Sequence, residues 1–235
     1  MREGPGEGGP AHVRFAVNRD RSDPATRFSG RALACVRGDR AVFSGLDFAL
    51  GAGEVLLLTG PNGSGKSSLL RMMAGLLPPV SGAVEWDGAD IAEDRESHAA
   101  RLHYVGHLDA VKPALTVAEN LRFWATLRPG GTGVGPALGQ FGIAGLADLP
   151  ARFLSAGQRR RLALARIAVS EAPLWLLDEP TVALDEEGVG AVHAAIGRHC
   201  TDGGSCVVST NAPLGLPGAK SLDLGRHGAG PGGRA

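Results

Sequence analysis

Apolar positions in the early part of the chain come in short, strand-length bursts. "RALACV" (31–36), "LDFAL" (46–50) and "GEVLLLTG" (53–60) are separated by the turn signals "RGDR" and "GAG", a pattern that predicts a small antiparallel lobe running into a buried strand. After Gly60 the period changes. In "KSSLLRMMAGL" the residues Leu69, Leu70, Met73 and Leu76 recur at helical spacing until Pro78 and Pro79 stop the helix. "GAVEWDG" is a further strand closed by the Asp87-Gly88 turn, and "LHYVGH" (102–107) is another.

Thr116 and Glu119 have the spacing of a capping box. A hydroxyl and a carboxylate there satisfy free backbone donors reciprocally, so "VAENLRFWATL" (117–127) is predicted as a helix with Phe123, Trp124 and Leu127 on its apolar face. "RPGGTGVGPALGQFG" (128–142) reads as a flexible connection with a weak helix at most. Ser155 then caps the helix "AGQRRRLALARIAVSE", followed by the strand "LWLLDE" (174–179), the helix "EGVGAVHAAIGRH" and the strand "SCVVST" (205–210). Helices alternating with apolar strands imply an α/β fold with a mostly parallel sheet covered on its faces.

Length and charge narrow the function classes. The 235 residues fit one domain, or one domain in two lobes around a shared site. Lys plus Arg and Asp plus Glu are balanced at 24 each, which argues against a nucleic-acid partner. The run Arg159 to Arg161 reads as a solvated face with local ion pairs. Cys35, Cys200 and Cys206 are odd in number and lack metal-ligand spacing, so they read as small core hydrophobes in a reducing compartment. His103, His193 and His199 likewise show no ligand spacing; Trp124 and Trp175 read as core residues, and Trp86 as half exposed. No run approaches the roughly 18 apolar residues of a membrane helix. Residues 1–28 and 225–235 mix Gly, Pro and charge, and are expected to be disordered around a folded domain at 29–224.

Candidate chemistry centres on Gly60, Pro61, Asn62, Gly63, Ser64, Gly65, Lys66, Ser67 and Ser68, a G-x-x-x-x-G-K-S loop between a buried strand and a helix start. Glycines let successive backbone N–H groups turn inward around an anion, and the helix adds its positive end. Lys66 is placed to reach the outer phosphates of a nucleoside triphosphate, and Ser67 to supply a hard oxygen to Mg2+. The apolar strand "LWLLDE" ends in two acids. Asp178 suits the magnesium shell, and Glu179 suits orienting and polarising an attacking water.

"LSAGQRRRLALAR" from Leu154, lying between that loop and "LLDEP", resembles the signature of ATP-binding-cassette proteins. The resemblance spans about residues 30 to 224 and implies a P-loop NTPase core with a mostly parallel sheet, an antiparallel β subdomain and a helical subdomain at about 107–170. It implies that Ser155, Gly157 and Gln158 of one subunit face ATP held by the other, in a head-to-tail homodimer. Within the family, "VFSGLDFALGAGEVLLLTGPNGSGKSSLLRMMAGLL", "YVGHLDAVKPALTVAENLRFW" and the short ending "VVSTNAPL" look like the ATP-binding subunit of bacterial haem exporters of cytochrome c maturation. His107, where most cassette ATPases place glutamine, strengthens that likeness, although a surface histidine after a strand would look the same. The implied partners are integral membrane subunits seating short helices near His107 and residues 108 to 127, at the cytoplasmic face of the inner membrane.

Two positions depart from the family pattern. Asn211 stands where a switch histidine is usual, and an amide donates a hydrogen bond but cannot become a cation. The aromatic residue that in the family often stacks on adenine before the phosphate loop is missing; Arg37, with its planar guanidinium, is the nearest candidate. Beside haem export, the pattern leaves open the motor of a drug, lipid or polysaccharide exporter, and a nucleotide-gated assembly module with little turnover. Cassette ATPases of translation or DNA repair fit less well, because they carry paired cassettes or inserted coiled coils.

Overall fold

The structure, a computed structural model, describes residues 26–127, 130–212 and 214–226. Strands β1 (Thr26–Arg37) and β2 (Arg40–Gly51) form a hairpin, β3 (Val55–Thr59) leads into helix α1 (Lys66–Met73), and β4 (Ser81–Trp86) and β5 (Ala89–Asp90) follow. Helix α2 (Arg95–Ala100) and strand β6 (Leu102–Val105) precede a helical stretch of α3 (Val117–Leu127), α4 (Val134–Gln140) and α5 (Ala156–Ala165). The chain closes with β7 (Leu174–Asp178), α6 (Glu186–Thr201), β8 (Ser205–Ser209) and β9 (Lys220–Asp223).

These strands make two sheets. An antiparallel sheet has the order β2-β1-β4-β5, and a parallel sheet the order β6-β7-β8-β3-β9. Strands β7 and β8 are buried along their whole length, as parallel strands covered on both faces must be. Strict alternation then divides their side chains between two cores. Leu174, Leu176 and Val207 join Leu56, Leu58, Leu69 and Met73 beneath the antiparallel sheet. Trp175, Leu177, Cys206 and Val208 face the helical side with Val117, Leu121 and Leu162. Each fully buried side chain of this kind contributes about 1.5–3 kcal/mol.

Several elements differ from the sequence expectation. Strand β1 begins at Thr26, ahead of the expected boundary at 29, because Phe28 is fully buried and pairs in register with Leu50 and Trp86. The same packing buries Trp86, which patterning had put half in solvent. Of the tail expected at 225–235, Gly225 and Arg226 sit in a short 3-10 turn, and the rest lies outside the described residues. Helix α1 stops at Met73 rather than near Pro78: Gly75 turns the chain at φ 71°, which leaves Leu76 65% exposed. Helix α2 was missed although Asp94 caps it, accepting from the Ser97 amide at 3.0 Å, and β9 was missed because "KSLD" carries no strand pattern. A helix does form inside the expected flexible connection, as α4.

Helix α3 shows the capping box, with Glu119 and Thr116 bonded reciprocally at 2.8 and 3.1 Å. Its buried face is not the expected one. Val117, Asn120 and Leu121 point inward, while Phe123 and Leu127 are exposed and Trp124 is partly covered by the Arg166 guanidinium. Asn120 earns its burial by donating to the carbonyls of Lys112, Leu115 and Thr116 and accepting from the Lys112 amide, which leaves no polar group unpaired. The solvated face expected for Arg159 to Arg161 is also corrected. Arg160 and Arg161 are 5% and 8% exposed, because internal carbonyls and carboxylates solvate them.

A buried imidazole and a half-buried one make the fold sensitive to acid. His98 Nε2 donates to the Met73 carbonyl at 2.8 Å under Phe28, and His199 stacks on Trp175 with ring centres 3.8 Å apart. Burial holds both below the ordinary histidine range. The unfolded chain therefore takes up protons first, so their contribution is fully present above about pH 6.5 and is lost as the pH falls below it. Thermal melts at constant ionic strength should show a flat melting temperature from pH 8 to 7 and a decline below 6.5, shallower in His98→Gln.

A candidate phosphate-binding site at the end of the parallel sheet

Strand β3 delivers the chain into a loop that wraps back on itself before α1 begins at Lys66. Gly60 and Gly65 adopt φ of 129° and 102°, values open to glycine alone. At Gly65 a Cβ would lie 2.6 Å from Val42 Cγ1 and 2.9 Å from Phe43 Cδ1, so the loop can rest on β2 only without a side chain there. Inside the loop, the Ser64 hydroxyl is buried with no hydrogen-bond partner. An orphaned hydroxyl in a glycine-rich loop that opens a helix fits an anion. Lys66, 6% exposed, points its ammonium to the Gly60 carbonyl at 2.7 Å, the Pro61 carbonyl at 3.2 Å and Asn211 Oδ1 at 2.8 Å.

The parallel register brings the acids to this loop. Asp178 ends β7 directly beside Ser209 of β8 and is 2% exposed. Its Oδ1 accepts from Ser209 Oγ at 2.5 Å and from Ser67 Oγ at 3.2 Å. The hydroxyl and carboxylate are hard oxygen donors, so the pair fits a magnesium ion. Glu179 leaves the strand at φ 47°, its amide held by Ser209 O at 3.1 Å and Ser209 Oγ at 3.0 Å. Its Oε1 accepts from Asn211 Nδ2 at 2.5 Å. Asn211 thus joins Lys66 to Glu179.

A cavity of about 770 Å³ unites these groups with residues 61–68, Arg37 and His107. The arrangement of an anion nest, a buried lysine and paired carboxylates across a parallel sheet suits a triphosphate and a water. The family pattern of ABC transporters matches residues 43–182.

This chain belongs to the ABC transporter family.

As an ABC ATPase it is similar over most of its length to proteins named cytochrome c biogenesis ATP-binding export protein CcmA. That of Paramagnetospirillum magneticum is 55% identical over 202 residues, covering 84% of this chain and 93% of the relative. That of Rhodospirillum rubrum is 55% identical over 198 residues, covering 84% and 85%. Among solved structures, a bacterial Atm1-family ABC exporter with ATP bound superposes with a TM-score of 0.73 at 26% identity, over 86% of this chain and 37% of the exporter. An ATP-binding subunit of an ABC transporter superposes at 0.76 with 22% identity, over 85% and 87%, a likeness of fold alone.

Most of the site residues expected from sequence converge in this ABC ATPase. Gly60 frames the loop with its carbonyl, and residues 61–68 line the cavity with Arg37, His107, Asp178, Glu179 and Asn211. Ser155, Gly157 and Gln158 do not line it. They open α5, where Ser155 Oγ accepts from the Gln158 amide at 3.2 Å and Gln158 Oε1 from the Ser155 amide at 2.9 Å. Gly157 is pressed on the Ala183 carbonyl, which a Cβ would approach to 2.7 Å. Sequence reasoning missed Arg40, which pairs with Arg37 across the β1-β2 turn and also lines the cavity. The paired arginines of "RGDR" were its signal. It also missed Ser209, for which the pattern holds no signal, since only strand pairing sets it beside Asp178.

Lys66 supplies a buried cation to the cavity lining. A charged hydrogen bond is worth about 1.5–3 kcal/mol, so Lys66→Ala should weaken binding of a fluorescent ATP analogue at least tenfold in equilibrium titration.

Proposed function

We propose that this ABC ATPase is the ATP-binding and ATP-hydrolysing subunit of a membrane complex for haem export, or release of a haem-loaded chaperone, in cytochrome c biogenesis. The relatives named CcmA support the assignment to cytochrome c biogenesis. The observation that carries the enzymatic part is the pairing of the Glu179 carboxylate and the Lys66 ammonium through one side chain, Asn211, at the end of the phosphate loop.

In this reading the loop amides and Lys66 bind the phosphates, and Arg37 stacks on the base. Ser67 and Asp178 hold Mg2+, which when bound neutralises charge on the phosphoryl being transferred. Glu179 accepts a hydrogen bond from the attacking water and orients it in line. Asn211 holds that carboxylate by its amide, and His107 stands at the rim of the cavity. Ser155, Gly157 and Gln158, at the open start of α5, face the nucleotide of a second copy in a head-to-tail homodimer. Their backbone donors and the positive end of the helix stabilise the same anion from outside.

Among the described residues no helix is long and apolar enough to cross a membrane. The membrane partners dock where Leu76, Val80, Leu108, Phe123 and Leu127 are exposed. A small cavity of about 220 Å³ between Leu76, Tyr104, Trp124, Leu127 and Arg166 receives a short helix of an integral subunit, at the cytoplasmic face of the inner membrane. Leu76 and Leu127, both exposed and lining one cavity, favour a partner surface there. A second reading, a nucleotide-gated assembly module with little turnover, is favoured by Asn211 alone, which cannot carry the charge a histidine would.

Glu179→Gln should bind ATP and Mg2+ but accumulate as an ATP-locked dimer on size-exclusion chromatography; a monomer under saturating nucleotide refutes the catalytic assignment. Asn211→His should raise phosphate release severalfold, and an unchanged rate removes the argument that the amide limits turnover.

A further inference from the structure

Arg160 lies in the second turn of α5, only 5% exposed, with its guanidinium bonded to two separate stretches of chain. One Nη donates to the Gly106 carbonyl at 2.9 Å and to Asp109 Oδ1 at 3.2 Å, on either side of His107. The other donates to the carbonyls of Asp178 at 2.6 Å and Glu179 at 2.9 Å. Nothing in the reaction scheme above uses it.

The surroundings show what this joint does. Glu179 has φ 47°, a left-handed backbone that a glutamate adopts only when its neighbours hold it there. Ser209 fixes the amide side of that residue, by carbonyl and by hydroxyl. On the carbonyl side, the guanidinium of Arg160 supplies the corresponding restraint. Together with Ser209, this buried cation fixes the backbone from which the Glu179 side chain leaves the strand, and ties it to the 106–109 loop and to the helix that begins at Ser155. Only a planar fork can do this. Its two Nη atoms diverge toward acceptors on different segments, whereas an ammonium donates from one point.

Resting on the ATPase reading above, we propose that Arg160 is a positioning residue for hydrolysis: it holds Glu179 in its strained, left-handed backbone and makes that geometry depend on the 106–109 loop and on α5. Phosphate binding does not pass through it, because no group of the Gly60–Ser68 loop is bonded to its guanidinium. Misplacing a catalytic group by about an ångström costs up to a hundredfold in rate. Loss of Arg160 thus acts on kcat and leaves nucleotide affinity in place.

The test uses the full chain with ATP and Mg2+, comparing Arg160→Lys and Arg160→Met with the parent, each first checked by circular dichroism and thermal melting. The expected result is a fall in kcat of about tenfold to a hundredfold, with KM and the affinity for a fluorescent ATP analogue changed less than twofold. Arg160→Lys keeps the charge and most of the stem, so it stays informative if Arg160→Met does not fold. In the Glu179→Gln background, Arg160→Lys should cause no further loss of the residual rate, a non-additivity that general weakening of the fold would not produce. Parental kcat in Arg160→Lys, a rise in KM at constant kcat, or additive losses with Glu179→Gln would each overturn the proposal. A parent that binds ATP but never hydrolyses it defeats the ATPase reading itself, and the positioning role falls with it.

Discussion

A carboxylate with almost no contact with water organises this molecule. Asp178 closes a strand whose every residue is buried, and such a charge persists only where donors meet it. Ser209 from the next strand and Ser67 from the phosphate loop are those donors. The parallel register of β7 and β8 and the seating of α1 beneath the loop are both needed to satisfy that one group. A shift of register by a single residue would turn every side chain of β7 to the opposite core and take Asp178 away from both hydroxyls.

Around this anchor the site is built from contacts that cross the fold. Lys66 arises in α1, Glu179 after β7 and Asn211 after β8, yet their side chains form a single chain of hydrogen bonds. Arg160 adds α5 and the 106–109 loop to the same assembly. Water orientation at Glu179 is thereby tied to α5 and to the 106–109 loop, through a guanidinium that is itself buried and so holds geometry more firmly than a solvated one would.

The residues exposed against expectation have a common cause. Leu76, Phe123 and Leu127 fit helical periodicity as well as any core residue does, and periodicity alone places an apolar side chain on a face without saying what covers it. Arg160 and Arg161 show the converse, since charge by itself favours solvent, and only the carbonyls of distant segments allow burial. Trp86 and Phe28 belong to the same lesson: their burial comes from pairing between β1 and β4, across more than fifty positions of sequence.

What the order of residues determined is local. The strand, glycine loop and helix around Lys66, the capping boxes at Thr116 and Ser155, the buried runs that became β3, β7 and β8, and the two acids closing "LWLLDE" all express backbone and burial preferences that act over a few residues. The tertiary structure alone decided which strands became neighbours, and so that Ser209 supports Asp178, that Asn211 links Lys66 to Glu179 and that Arg160 is drawn inside. Those partners are chosen by the sheet order β6-β7-β8-β3-β9, which depends on how both cores pack at once and leaves no signature at any one position.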